Sequence, residues 1–359
     1  RAPDQLGADM GRLVRFVAID LLFATSALYD PLATAPAPGG RKIAHVAMLE
    51  DESGASGTEW LHADIAERAW RRFQPYYSWK IAISDTSPID AAAKQTLDLF
   101  TGNRTANDCW NRFGTTFAQL FCGFEASHAT YLPAYGRRDA VGGIFSYSTS
   151  PEGLGSSFGL LGFADDNWTS GAPTYEFIFG GSAYRALGYG FSATVIHEFG
   201  HHLGVSHPHD GYDSERDLDY GATGDTFFAW LGDESDTVMS YLSVSNGFGR
   251  HAQDNMYRWE TAGYLNWSNA IAGDILASGN EARVAAALAL ADGEARRARA
   301  AFAEWRYLDA ARSARAAYET VARAAESVGV SSALVVETRP LSAAAGPRKE
   351  GCRPRFVKD

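Results

Sequence analysis

Short unbroken apolar runs alternate with apolar positions at helical spacing through the first part of the chain. Residues 5–30 read as an amphipathic helix followed by a loose linker, Ala33-Thr34-Ala35-Pro36-Ala37-Pro38-Gly39-Gly40. Residues 43–49 are an apolar run that predicts a first strand. Leu61, Ile65, Ala69 and Phe73 recur every four residues and predict a helix that ends before Pro75, because the residue preceding a proline is pushed out of helical geometry. Residues 79–83 predict a second strand, and Ser87-Pro88 an N-cap and first helical position for a helix running to about residue 100. Strand, helix, strand, helix in this order is the pattern of an α/β sheet.

From 102 to 190 the chain is rich in Gly, Ser, Thr and aromatics, with candidate strands at 141–148, 158–163 and 175–179. If one of these forms a sheet edge, it offers unpaired backbone groups to an extended peptide; the pattern does not say which strand that is. Phe191, Val195, Phe199 and Leu203 then repeat every four residues, predicting a helix with one buried apolar stripe. Residues 251–266, with Met256 and Trp259, predict another helix behind it. Beyond 280 the chain becomes Ala/Arg/Glu-rich and helical, with Gly293 as the expected break. Trp305, Leu308, Ala311, Tyr318, Val321 and Ala325 form the expected apolar seam, read as internal packing rather than a partner surface.

The stretch His197-Glu198-Phe199-Gly200-His201-His202-Leu203-Gly204-Val205-Ser206-His207 spells H-E-x-x-H-x-x-G-x-x-H, with His197 and His201 on the face roughly opposite the apolar stripe of the 191–203 helix. His197 and His201 are one helical turn apart, so both imidazoles project from one face and can hold one metal ion. Gly204 is the residue type that tolerates the left-handed conformation needed to stop a helix and turn the chain back. That turn would return His207 as a third nitrogen ligand and leave a fourth tetrahedral position for water, the arrangement of catalytic rather than structural zinc. Glu198, next to the first ligand, is placed to take the proton of that water. The other histidines (His45, His62, His128, His202, His209 and His251) carry no spacing that demands a metal, although His209 is a rival for the third position.

Composition narrows the class further. Of 359 residues 46% are hydrophobic and 21% charged, as in ordinary globular proteins. Net charge is −11, with 18 Lys+Arg against 33 Asp+Glu in residues 1–280 and 14 against 10 in 281–359, which marks a boundary near 280. An acidic main body argues against nucleic acid as a partner. Residues 208–236 hold nine acids (Asp210, Asp213, Glu215, Asp217, Asp219, Asp225, Asp233, Glu234 and Asp236) against Arg216. Crowded carboxylates suit calcium, but the spacing matches no EF-hand, so a calcium loop and a solvated loop both stay open. Cys109 and Cys122 could close a short disulfide loop and leave Cys352 over, or all three could be free thiols. Arg15 and Asp20 interrupt the run at 13–28, which therefore reads as amphipathic helix rather than signal-peptide core. No uncharged run is long enough to span a bilayer, so no transmembrane segment is expected. The start at Arg1 reads as a processed or excerpted product.

After the third histidine comes Asp236-Thr237-Val238-Met239-Ser240-Tyr241. Together with the zinc-site pattern, this makes the chain resemble the metzincin metallopeptidases, whose signature is the extended histidine motif followed by a Met-turn. The Val-Met-Ser-Tyr run and the Ser-His-Pro at the third histidine resemble the serralysin and astacin branches most. The chain lacks the glycine- and aspartate-rich calcium repeats of the former and the astacin continuation after the third histidine, so the subfamily stays open. The resemblance implies an α/β fold: a zincin-type catalytic domain with a twisted mixed sheet and an active-site helix, followed by a helical C-terminal region. Expected boundaries are 1–40 for the N-terminal helix and linker, 41–275 for the catalytic domain and 276–359 for the helical region and tail. It further implies a zinc endopeptidase acting on protein or peptide substrates, secreted or at the cell surface. His197, His201 and His207 would be the ligands and Glu198 the general base. Met239 would form the floor under the metal, and Tyr241 an additional ligand or transition-state donor. Two alternatives stand beside this: a zinc hydrolase of a non-peptide bond, and a catalytically silent surface-binding module built on the C-terminal helices.

Overall fold

The computed structural model describes residues 10, 39–50, 61–83, 87–88, 91, 140–147, 162–164, 175–179, 190–203, 205, 236–240 and 245–330. The expected N-terminal helix, apart from the helical Met10, lies outside these residues, as do the three cysteines, the acidic loop before Asp236 and the tail beyond 330.

A six-stranded sheet is built on β1 (Arg41–Glu50), which pairs in parallel with β2 (Ser78–Ile83) and, further along the same strand, with the two-residue β3 (Ser87–Pro88). β4 (Ala140–Tyr147) pairs in parallel with β1, with a register shift at Ile43/Ala44. β6 (Tyr175–Phe179) pairs in parallel with β4, and β5 (Gly162–Ala164) closes the series antiparallel to β6. The strand order is β2-β1-β4-β6-β5. Each expected strand has a counterpart, with ends shifted by a few residues. Ser87-Pro88 corrects an expectation: these residues extend the sheet against Leu49 and Glu50 instead of capping a helix, while of the helix expected to about residue 100 only the helical Ala91 lies among the described residues. Proline lacks only the donor N–H, so it can take part where a ladder ends.

Helix α1 (Ala63–Phe73) joins β1 to β2 and buries Ala66, Ala69, Trp70 and Phe73, the i, i+3, i+4, i+7 stripe of an amphipathic helix. Its outer face carries charges at helical spacing, Asp64 with Arg68 at 2.6 Å and Glu67 with Arg71. Helix α2 (Gly190–His202) carries the histidine motif and packs along α1, β6 and the antiparallel edge β5. Its Val195, Phe199 and Leu203 are fully buried, as the four-residue repeat requires. Phe199 meets Trp70 and Trp79 at ring-centroid distances of 4.6 and 5.5 Å, joining α2, α1 and β2 in one aromatic cluster. Each such ring is worth about 1.5–3 kcal/mol of burial, enough to fix where the motif helix sits.

Behind this layer runs α3 (Arg250–Ala277), which starts at the expected place and continues past the expected end. It stops where Gly279, with φ +69°, lets the Asn280 N–H bond back to Ile275. A 3-10 turn (Glu281–Arg283) leads into α4 (Ala285–Ala303) and α5 (Tyr307–Ser327). Gly293 is not a break; it lies within α4, since one glycine costs a helix only about 1 kcal/mol relative to alanine. The break is at Glu304-Trp305-Arg306, where Trp305 takes the left-handed conformation (φ 63°) and the Arg306 N–H bonds to Ala301. Trp305 therefore leaves the expected seam and is 69% exposed, while Ala311, Tyr318, Val321 and Ala325 are buried in it. Buried Ala291, Ala298 and Ala301 on α4 and the buried alanines of α5 let these helices pack closely.

The C-terminal helices share one core with the sheet. A buried polar cluster ties them together. Lys42 of β1 donates from Nζ to Gln74 Oε1 at 3.1 Å and sits 3.9 Å over the Tyr77 ring. Gln74 Nε2 donates to Glu260 Oε1 of α3 at 2.9 Å. Arg315 of α5 lies 4.5 Å over the Tyr77 ring and donates to the carbonyls of Gly39 (2.6 Å) and Tyr76, while the Tyr77 and Tyr264 hydroxyls bond to each other.

Candidate metal centre

The last turn of α2 presents His197, Glu198 and His201 with ligand atoms within 4.8 Å of one another, a grouping that can hold a metal ion. Each imidazole is fixed from behind. Nδ1 of His197 lies 2.7 Å from the Val238 carbonyl oxygen, and Nδ1 of His201 lies 2.8 Å from that of Val205. A carbonyl oxygen only accepts, so each Nδ1 is the protonated nitrogen of its ring. The two Nε2 atoms then face each other as acceptors, 3.2 Å apart. Two lone pairs at that separation repel unless a cation lies between them. Nitrogen ligands held tetrahedrally at roughly 2.0–2.1 Å from zinc are about 3.3 Å apart, so the pair fits such an ion.

Glu198 is 6% exposed, and burial pushes its carboxyl well above the usual range. His201 is 4% exposed and His197 half-buried, which leaves one imidazole toward solvent and one in the core. The helix ends where the Val205 N–H reaches the Gly200 carbonyl at 2.9 Å, a bond spanning six residues. That bond brings the Val205 carbonyl to His201. Gly204, the expected helix stop, lies outside the described residues.

The segment 236–240 packs against this helix. Its Ser240 N–H bonds to the Thr237 carbonyl at 3.1 Å, and its Val238 N–H to the Gly247 carbonyl at 2.6 Å. Met239 is fully buried against Gly200, where an added Cβ would lie 2.6 Å from its Sδ and 2.8 Å from Phe248 Cε1. Of the residues singled out from the sequence, His197, Glu198, His201 and Met239 are therefore brought together, while His207 and Tyr241 lie outside the described residues. His45, on β1, is part-buried, which lowers its imidazole pKa. The backbone N–H of His62 donates to Ser192 Oγ at 2.8 Å and ties the start of α1 to the start of α2.

Sequence reasoning missed Gly200, Phe248 and the carbonyls of Val205 and Val238. The glycine inside the H-E-x-x-H was a readable sign of close approach; a carbonyl, which every residue has, leaves no mark. Neither a scan against protein-family models nor a search of curated proteins found a match to this chain. Among the described residues no helix is long and apolar enough to cross a membrane.

Proposed function

We propose that the chain is a zinc-dependent endopeptidase of metzincin type, working outside the cell or at its surface. The observation that carries this reading is the pair of imidazole Nε2 atoms at 3.2 Å, each ring locked by a carbonyl, beside the buried Glu198. His197 and His201 hold the ion, and His207 is the third ligand by the spacing of the motif. Zinc bound by these residues would supply water activation and polarisation of a peptide carbonyl, and its charge would offset the cost of ionising the buried Glu198. Glu198 takes the proton of the attacking water and returns it to the leaving amine, acting as general base and then general acid. Tyr241 donates a hydrogen bond to the carbonyl oxygen as negative charge develops on it. Among the described residues β5 ends the sheet beside α2, where an extended peptide would align by pairing its backbone with that strand.

The test is Glu198→Gln. It is expected to bind zinc as the parent does and to lose peptide hydrolysis, while the parent's cleavage stops with a chelator and returns with zinc. Undiminished cleavage by Glu198→Gln removes the assignment.

A further inference from the structure

The side chains around the metal ligands form a continuous chain of contacts that ends in α1, far from the histidine motif in sequence. Phe73 of α1 stacks on Phe248, with ring centroids 4.2 Å apart and planes 26° apart. Phe248 follows Gly247, whose carbonyl accepts the Val238 N–H at 2.6 Å. The other side of the Val238 residue, its carbonyl, accepts from Nδ1 of His197 at 2.7 Å. Val238 is thus held at both its polar groups, one by the segment that Phe248 anchors and one by a metal ligand. Gln253 Nε2 donates to the Phe248 carbonyl at 2.8 Å and fixes the anchor to α3. The anchor and the turn both press on one point of the motif helix, Gly200, where a methyl group would stand 2.6 Å from Met239 Sδ and 2.8 Å from Phe248 Cε1.

We infer that Phe248 is a positioning residue for the ligand His197, acting through the Gly247 carbonyl and the Val238 peptide at an approach that only glycine at position 200 allows. This rests on the reading of His197 and His201 as metal ligands. Phe248 touches neither metal nor substrate; it sets how far the Val238 carbonyl stands from the imidazole, and so the direction in which Nε2 points. Partners that orient a metal-binding histidine typically govern affinity by ten- to a hundredfold, roughly the scale expected here. Crowding at position 200 acts on the same chain from the opposite side, since the thioether and the ring must both give way.

The experiment measures zinc affinity of the full-length protein by competition with a chromophoric chelator, alongside thermal stability of the metal-free form. Gly200→Ala and Phe248→Ala are expected to weaken zinc binding about tenfold or more. Shortening the crowded side chain in Gly200→Ala/Met239→Ala is expected to recover part of the loss caused by Gly200→Ala. Val321→Ala, a core truncation in α5, is expected to lower the melting temperature with zinc affinity intact, which separates positioning from general destabilisation. If Phe248→Ala does not fold, Phe248→Leu, which keeps most of the volume without the stacked ring, takes its place. Parental zinc affinity in Gly200→Ala and in the Phe248 variant overturns the inference while leaving the metal site standing. Absence of zinc binding by the parent overturns both.

Discussion

Replacing Lys42 by methionine tests whether the sheet and the C-terminal helices are joined by charge or by packing alone. Lys42 is 7% exposed, and Gln74 and Glu260 are fully buried. The Gln74 amide connects the ammonium at 3.1 Å to the carboxylate at 2.9 Å, its oxygen toward the donor and its nitrogen toward the acceptor. Removing one partner of a buried ion pair costs about 3–5 kcal/mol. Here the pairing is relayed through an amide, Arg315 also acts on Glu260, and burial brings both Lys42 and Glu260 to about 7, so the group left behind can shed its charge. The low end therefore applies, about 3 kcal/mol for Lys42→Met and the same for Glu260→Met. The double variant leaves the Gln74 amide without these two partners, a cost of about 1–3 kcal/mol for a buried polar group. Its loss is therefore about 2 kcal/mol, against about 6 if the single losses added. Urea denaturation at neutral pH measures all three, and thermal scans should show each single variant melting about 4 °C lower. Single losses that simply add in the double variant refute the reasoning, because they mean that the two residues do not sense each other.

The same cluster makes stability depend on pH. Burial raises Glu260 to about 7, so between the unfolded value of 4.5 and 7 the folded state binds more protons and stability falls as pH rises. Glu260→Gln is expected to lack that falling component when urea midpoints at pH 5 and pH 7 are compared with the parent's; an unchanged slope counts against it. Phe199→Ala removes a fully buried ring packed between Trp70 and Trp79 and should cost about 3–5 kcal/mol in denaturant unfolding. Trp305→Gly relieves a left-handed residue that lies 69% exposed at the end of α4, and thermal unfolding should show stability unchanged or raised by about 1 kcal/mol. His201→Ala should abolish stoichiometric zinc binding measured by elemental analysis, and retained zinc would place the metal elsewhere.

What could be read from the chain alone was whatever short-range periodicity writes. The α1 stripe, the α2 stripe and the two imidazoles on one helical face follow from spacing, and the structure has them as expected. Errors arose where tertiary pairing outweighs local preference: Ser87-Pro88 joins β1, and Gly293 stays helical because α4 packs along α5. Trp305 was misplaced because hydrophobicity said inside, whereas the hairpin needed a left-handed residue there. Contacts between distant residues left no sequence trace. Nothing in the neighbourhood of Lys42 announces Glu260, and nothing near His197 announces the carbonyl of Val238. Which strand ends the sheet among the described residues was equally silent, because β5 is only three residues long and its direction is set by β6.

Arg315 grips the carbonyls of Gly39 and Tyr76, at the entrances to β1 and β2, from a helix that lies more than two hundred residues downstream. A shortened version ending after α3 would uncover the ring of Tyr77 and strip both loops of their donor. Anyone trimming this chain to a shorter form for expression should expect insoluble material, and should keep α4 and α5 attached.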